Sequence, residues 1–317
     1  MTRTLVTLAV LLLQVLAMLA LAPLVTGITR QTRARLEGRA GAGVLQPWRD
    51  VRKLISKGPI HARGTSWVTL AAPVVLLTSS MLVAALVPLV TTVSLPAVPG
   101  DLFVVVSVLL LGTVALALLG LDAGSAFGGM GSSRHMMVAA LVEPTVLLAV
   151  YALSIPVGSS ALGLIVAARH DDPASIGTPA AVLAVVALVV VVLAETGRLP
   201  IDNPATHLEL TMIHEAMVLE TSGRDLAWVE LGSWLRLSVL LGLVANLVVP
   251  WGVATSTSPV ALAVGLLTAA VKVAALAAVL GAAEVGMAKI RLFRVPELLA
   301  GSFVLAFLAV TAAYLVA

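Results

Sequence analysis

The stretch at 195–215, ETGRLPIDNPATHLELTMIHE, sets Glu195, Asp202, Glu209 and Glu215 among one arginine, two histidines and two prolines. It follows directly on the apolar run PAAVLAVVALVVVVLA. Its acids are interleaved with Leu, Met and Ile rather than gathered into a polar run, so they are expected to be partly buried. A partly buried carboxyl group keeps its proton to higher pH, which is the property a proton relay needs. Glu220 extends the series: on a helix it shares a stripe with Glu209, while His207 and His214 occupy a neighbouring face. His214-Glu215 opens like a zinc-peptidase motif, but position 218 is valine, so the second histidine is missing and no metal site is expected. The plainer alternative is a solvated loop whose acids balance Arg198 and Arg224.

Six further ionisable residues fall in or beside apolar runs. Glu143 stands inside one, just before Pro144, where a carboxylate is costly and marks function by default. Lys272 lies mid-run in another, and Arg236 lies in a third with Glu230 ahead of it. Glu284 and Glu297 bracket the last charged loop. With the 195–220 cluster, these residues are predicted to form a chain of ionisable groups leading into the bilayer. The structural alternative for Glu143 and Lys272 is a counter-ion role that fixes helix packing.

The elements that must position these groups follow from hydropathy. Of 317 residues 60% are hydrophobic and 11% charged, with mean hydropathy +1.10, against about 25% charged in soluble domains. The chain is therefore an all-α, multi-pass membrane protein. Eight spans are predicted at about 5–28, 67–90, 102–121, 136–157, 178–194, 227–251, 259–281 and 298–317, in a single membrane domain covering 1–317. Nine basic residues lie between Arg30 and Arg63 against only Glu37 and Asp50, and alternating sides from there puts 15 of the 19 basic residues on one side. Lys and Arg favour cytoplasmic loops, so the loops 29–66 and 195–226 are expected in the cytoplasm and both termini outside the cell (inner) membrane. Ala20-Leu21-Ala22 resembles a leader-peptide cleavage site. However, the apolar run is too long for a leader and the positive cluster follows it, so the segment reads as a retained span.

Asn203 as cap, Pro204 in the first turn and Gly223 as terminator predict an amphipathic helix of about 18 residues over 203–223. Gly197 and Pro200 break the chain before it. In the first loop Arg49, Arg52, Lys53 and Lys57 recur at helical spacing beside Val51, Leu54 and Ile55. That pattern gives a basic amphipathic helix, which either docks a cytoplasmic partner or lies on the anionic surface of the lipid bilayer. Nucleic acid is not an expected partner, because membrane orientation already accounts for the charge. There is no cysteine, hence no thiolate-held cluster, and no histidine pair inside spans to hold haem. Neither tandem nor matching halves are visible, which weighs against a stand-alone cation transporter.

ETGRLPIDNP resembles the ETxRxPxDxP signature of the subunit 1 family of respiratory complex I, and GVLQPWRDVRKL resembles that family's LQPxxDxxKL segment. The continuation HLELTMIHEAMVLE is similar to the membrane subunit of group 4 NiFe-hydrogenases, of formate hydrogenlyase and hydrogenase-4 type. Thr221 departs from the tyrosine usual in both branches, and the acid-rich loop of the complex I branch is only partly reproduced. The resemblance implies a membrane-anchoring and proton-coupling subunit without a redox centre or bound cofactor of its own. An Fe–S small subunit and a NiFe large subunit would dock on the cytoplasmic loops through Arg49, Arg52, Lys53, Lys57, Arg198 and Arg224, beside antiporter-like membrane subunits. By position, Glu195, Arg198 and Asp202 carry over from the signature, Glu209 from the LEL element and Glu220 from the helix end. His207, His214 and Glu215 belong to the hydrogenase-like wording. The alternatives are the quinone-site subunit of a complex I-like dehydrogenase and, from another class, a proton or sodium transporter acting alone.

Overall fold

The computed structural model describes residues 2–93, 100–203 and 212–316. Within them the chain is helical, with isolated backbone bridges and no strand. In order come α1 (Thr2–Leu36), α2 (Gln46–Ile55), α3 (Trp67–Leu86), α4 (Leu102–Asp122), α5 (Ala126–Ser154), α6 (Leu162–Asp171), α7 (Pro179–Glu195), α8 (His214–Val218), α9 (Gly223–Val248), α10 (Pro259–Gly286) and α11 (Val295–Val316). Seven of these are long and apolar enough to cross a membrane, and α7 is an eighth apolar helix of 17 residues. At 1.5 Å per residue α7 reaches about 25 Å, the lower limit for a span. Each of the eight predicted spans thus has its helix.

Local chemistry fixes where the helices begin. The side chains of Ser66, Asp101, Ser125, Thr178 and Ser258 each accept a backbone N–H from the first turn of α3, α4, α5, α7 and α10. Proline at the start of α7 and α10 lacks an N–H where none is needed. Ser125 starts α5 eleven residues before the predicted span at 136, so the polar run GGMGSSRH is helical too. Without side chains, Gly120, Gly128 and Gly131 let α4, α5 and α8 approach closely. A Cβ at Gly281 would stand 2.5 Å from the Thr29 carbonyl oxygen, so glycine there permits the packing of α10 on α1.

α9 forms the centre of the bundle and is buried nearly all round, from Ala227 to Leu247, against α1, α2, α3, α7 and α10. α10 and α11 lie outside and turn apolar residues such as Val260, Leu267 and Phe307 outward. Three expectations are corrected. The helix predicted over 203–223 is not continuous, since in its described part only His214–Val218 is helical and a turn follows at Leu219 and Glu220. Gly223 opens α9 instead of closing a helix. Glu284 lies within α10, which runs to Gly286, five residues beyond the predicted span end at 281, so the carboxylate is buried in the helix rather than left at the edge of the loop.

Candidate functional site

Where α7 ends, Thr196 and Gly197 turn the chain, with Gly197 at φ 58°, a left-handed conformation that favours glycine. The turn opens on a cavity of ≈ 530 Å³ among α1, α5, α7, α8, α9 and α10. More than half of the residues lining it are ionisable. Arg30, Arg33 and Arg39 come from α1 and the loop after it, Glu195 and Arg198 from the end of α7, His214 and Glu215 from α8, Glu230 and Arg236 from α9, and His135 and Glu284 from α5 and α10. Burial holds the His214 imidazole below its usual pKa of 6.5, against the pull of Glu230 and Asp202. The Arg30 guanidinium stands 5.7 Å from the centre of the Trp234 ring, a cation–π distance.

At the inner end, Arg236 forms an ion pair with Glu195, and the side chains are only 6% and 5% exposed. Arg236 Nη2 also donates to Thr113 Oγ1 at 2.6 Å and to the Leu109 carbonyl at 2.7 Å, while Thr113 Oγ1 donates to Glu195 Oε1 at 3.1 Å. These bonds tie α4, α7 and α9 around one guanidinium. Glu143 of α5 does not line the cavity, and its Oε1 is buried without a hydrogen-bond partner among the described residues.

Around the mouth, charge pairs hold the loops. Arg198 Nη1 donates to Glu284 Oε1 at 3.4 Å, and Arg33 reaches the other oxygen of Glu284 at 3.7 Å. Asp202 is buried: Oδ2 accepts the backbone N–H groups of Ile213 and His214, each at 3.1 Å, and Oδ1 accepts that of Asn203 at 2.9 Å and Lys289 Nζ at 3.1 Å. This carboxylate therefore ties the start of the acidic loop to its end. The first loop is fastened to the head of α9 by His61 Nε2 and Asp225 Oδ2 at 2.8 Å, and by the Ile60 N–H donating to Ser222 Oγ at 2.8 Å. The two charged loops thus make one surface.

The family model described as NADH dehydrogenase matches residues 8–316. The chain belongs to this family, that of complex I subunit 1. Among its relatives, formate hydrogenlyase subunit 4 of Escherichia coli (strain K12) is 33% identical over 298 residues, covering 94% of this chain and 96% of the relative. Hydrogenase-4 component C of the same organism is 33% identical over 263 residues, 82% and 81% of the two chains. NADH-quinone oxidoreductase subunit 8 of Rhodothermus marinus is 28% identical over 243 residues, 73% and 70%. A chain of the archaeal membrane-bound sulfane sulfur reductase, a respiratory membrane complex, shares the fold with a TM-score of 0.81 at 19% identity, covering 97% of this chain and 99% of that one.

In this member of the family the structure brings Glu195, Arg198, His214, Glu215, Glu230 and Arg236 together on one cavity. Asp202 sits behind it as a loop anchor, and Glu220 is exposed. His207 and Glu209 lie outside the described residues, so their predicted alignment with His214 and Glu220 does too. Arg49, Arg52, Lys53, Lys57 and Arg224 are exposed, and Pro47 and Val51 bury the opposite face of α2.

Lys272 stands apart from the cavity. Its Nζ donates to the Val249 carbonyl at 2.6 Å and to Asn246 Oδ1 at 3.0 Å, about 20 Å along α9 from Arg236. Arg169 donates to the Leu247 carbonyl at 2.6 Å, so two cations meet the C-terminal end of α9, where the helix dipole favours positive charge. Sequence reasoning did not single out His135, Thr113 or Arg33. His135 carried a weak signal, being eight residues before Glu143 on one helix; Thr113 is one of two hydroxyls in a greasy span, with Ser107, and carried none.

Proposed function

We propose that this chain is the membrane-anchoring and proton-coupling subunit of a membrane-bound NiFe-hydrogenase complex of the formate hydrogenlyase kind. The observation that carries this reading is the charged cavity: it opens among the loops and ends at a buried Glu195–Arg236 pair. Such a wall suits proton handling. Just over half of the residues lining the cavity are ionisable. The relatives support the same choice, with higher identity and fuller coverage for the two hydrogenase subunits than for the quinone oxidoreductase subunit.

In this reading the basic end of the bundle faces the cytoplasm in the inner membrane, following the positive-inside bias. The surface joining α2 to the head of α9 docks the partner proteins that hold the Fe–S and NiFe centres, and antiporter-like subunits lie alongside in the membrane. The test is purification through a tag on this chain from native membranes. Iron–sulfur and nickel proteins should co-purify in fixed stoichiometry. The complex should evolve hydrogen from a low-potential donor without quinone, and should move protons when sealed in liposomes. Strict quinone dependence, or cation transport by the chain alone, would overturn the proposal.

A further inference from the structure

The loop joining α10 to α11, residues 287–294, has two faces. On one face, successive residues grip the signature turn: Lys289 Nζ donates to Asp202 Oδ1 at 3.1 Å, and the Ile290 N–H donates to the Pro200 carbonyl at 2.9 Å. On the other, Arg291, Phe293 and Arg294 are exposed, Phe293 by 90%. Among the described residues neither guanidinium makes a hydrogen bond or an ion pair. We propose that Arg291, Phe293 and Arg294 bind an anionic phospholipid of the leaflet that meets the charged loops, and that this lipid braces the signature turn through Lys289 and Ile290. The site stands apart from the hydrogenase reading above and does not depend on it.

Helix lengths set the depth of this loop. α10 has 28 residues, about 42 Å at 1.5 Å each, which matches a bilayer counted with its headgroups, about 40–45 Å. α11 starts at Val295 and has 22 residues, about 33 Å, close to the ~30 Å of the hydrocarbon core. The loop therefore lies among the headgroups, and Phe293 stands two residues from the edge of the hydrocarbon. Both helices lie outside the bundle and turn apolar residues such as Val279 and Val304 outward, so lipid reaches up to the loop. At this depth an exposed phenyl ring enters the acyl boundary while a neighbouring arginine stays with the phosphates.

Charge decides the kind of lipid. The charge of Lys289 is spent on Asp202, which leaves Arg291 and Arg294 against the exposed Glu297 in the first turn of α11. The balance is one positive charge, the complement of a single phosphodiester. The Arg294 N–H donates to the Arg291 carbonyl at 2.8 Å, and this single 3₁₀ turn holds the two arginines one turn apart. A guanidinium offers paired N–H groups to phosphate oxygens, which favours a phosphate over a diffuse negative potential. Because Ile290 and Lys289 are bonded to the signature turn, a lipid that steadies Arg291 and Arg294 also steadies Pro200 and Asp202.

The test uses the complex purified through this chain, stripped of lipid and returned to nanodiscs of phosphatidylcholine with or without phosphatidylglycerol. Hydrogen exchange at the Ile290 amide should be slower with phosphatidylglycerol than with phosphatidylcholine alone. Affinity for phosphatidylglycerol, titrated by native mass spectrometry, should fall about fivefold for Arg291→Gln or Arg294→Gln and about 25-fold for the two together. Equal Ile290 exchange in the two lipid mixtures would overturn the site, and that measurement needs only the wild type. Unchanged affinity in the double variant would also overturn it. Inorganic phosphate slowing the exchange as well as phosphatidylglycerol does would reduce the site to a free-anion contact. Loss of a co-purifying protein from the double variant, with phosphatidylglycerol still bound at full affinity, would make the patch a protein interface instead.

Discussion

Arg198 and Glu284, 86 residues apart in the chain, form an ion pair of 3.4 Å with side chains 11% and 3% exposed. The pair joins the turn after α7 to α10 across the cavity mouth. Burial draws the Arg198 pKa down from its usual value, and Glu284 opposes that shift by stabilising the charged form. The signature arginine is therefore held from inside the bundle and is not part of the freely solvated basic surface. Arg49, Arg52, Lys53 and Lys57 of the first loop, by contrast, are exposed.

Glu284→Gln should destabilise the chain by about 3–5 kcal/mol, because it leaves Arg198 as a buried cation without its counter-charge. Arg33, also near Glu284, loses the same partner. Thermal unfolding in detergent checks this, and melting at the wild-type temperature would show that the pair contributes nothing.

Asp202→Asn should cost about 1–3 kcal/mol, since both carboxylate oxygens accept backbone N–H groups and an amide offers only one acceptor. The expected local effect is faster hydrogen exchange at the Ile213 and His214 amides, with exchange in α9 unchanged. Equal slowing factors at those amides in variant and wild type would remove Asp202 from its place as the loop anchor.

The spans were legible in the sequence because burial in lipid leaves a composition signal that packing cannot disguise. The ends were less so. α5 continues back to Ala126 through GGMGSSRH, where hydropathy fails but glycine allows close packing on α4. The acids of 195–215 announced themselves by standing against an apolar run, and six predicted residues do converge on the cavity. Thr113 and His135 were not legible as site residues, because their part depends on which helix faces which. Lys272 was legible as unusual, but its partners are backbone and amide oxygens that hydropathy does not reveal.

His214 should make stability depend on pH in a definite direction. Its folded pKa lies below the usual 6.5 because it is buried. As pH falls through about 6.5, the unfolded chain takes up a proton that the folded chain refuses until the lower folded pKa is reached, so stability is lost on acidification. The melting temperature of the wild type should therefore fall more steeply than that of His214→Asn between about pH 7.5 and about pH 5.5. Parallel pH profiles for the two proteins would contradict the assignment.

Lys272→Met should weaken the fold without uncoupling it. The ammonium satisfies the Val249 carbonyl and Asn246 Oδ1, and the amide nitrogen of Asn246 in turn donates to the carbonyls of Pro88 and Leu89 at 2.8 and 3.0 Å. Backbone that has left the helix at membrane depth must find partners within the protein, and here the lysine supplies one such bond directly, at Val249, and holds the Asn246 side chain that supplies two more. Methionine keeps the stem and removes the donors, at a cost of about 2 kcal/mol for each acceptor left dry. Because Lys272 is separated from the cavity, protons moved per hydrogen should stay at the wild-type ratio in the variant complex that survives purification. A normal melting temperature with a reduced ratio would reverse this assignment and return Lys272 to the proton path.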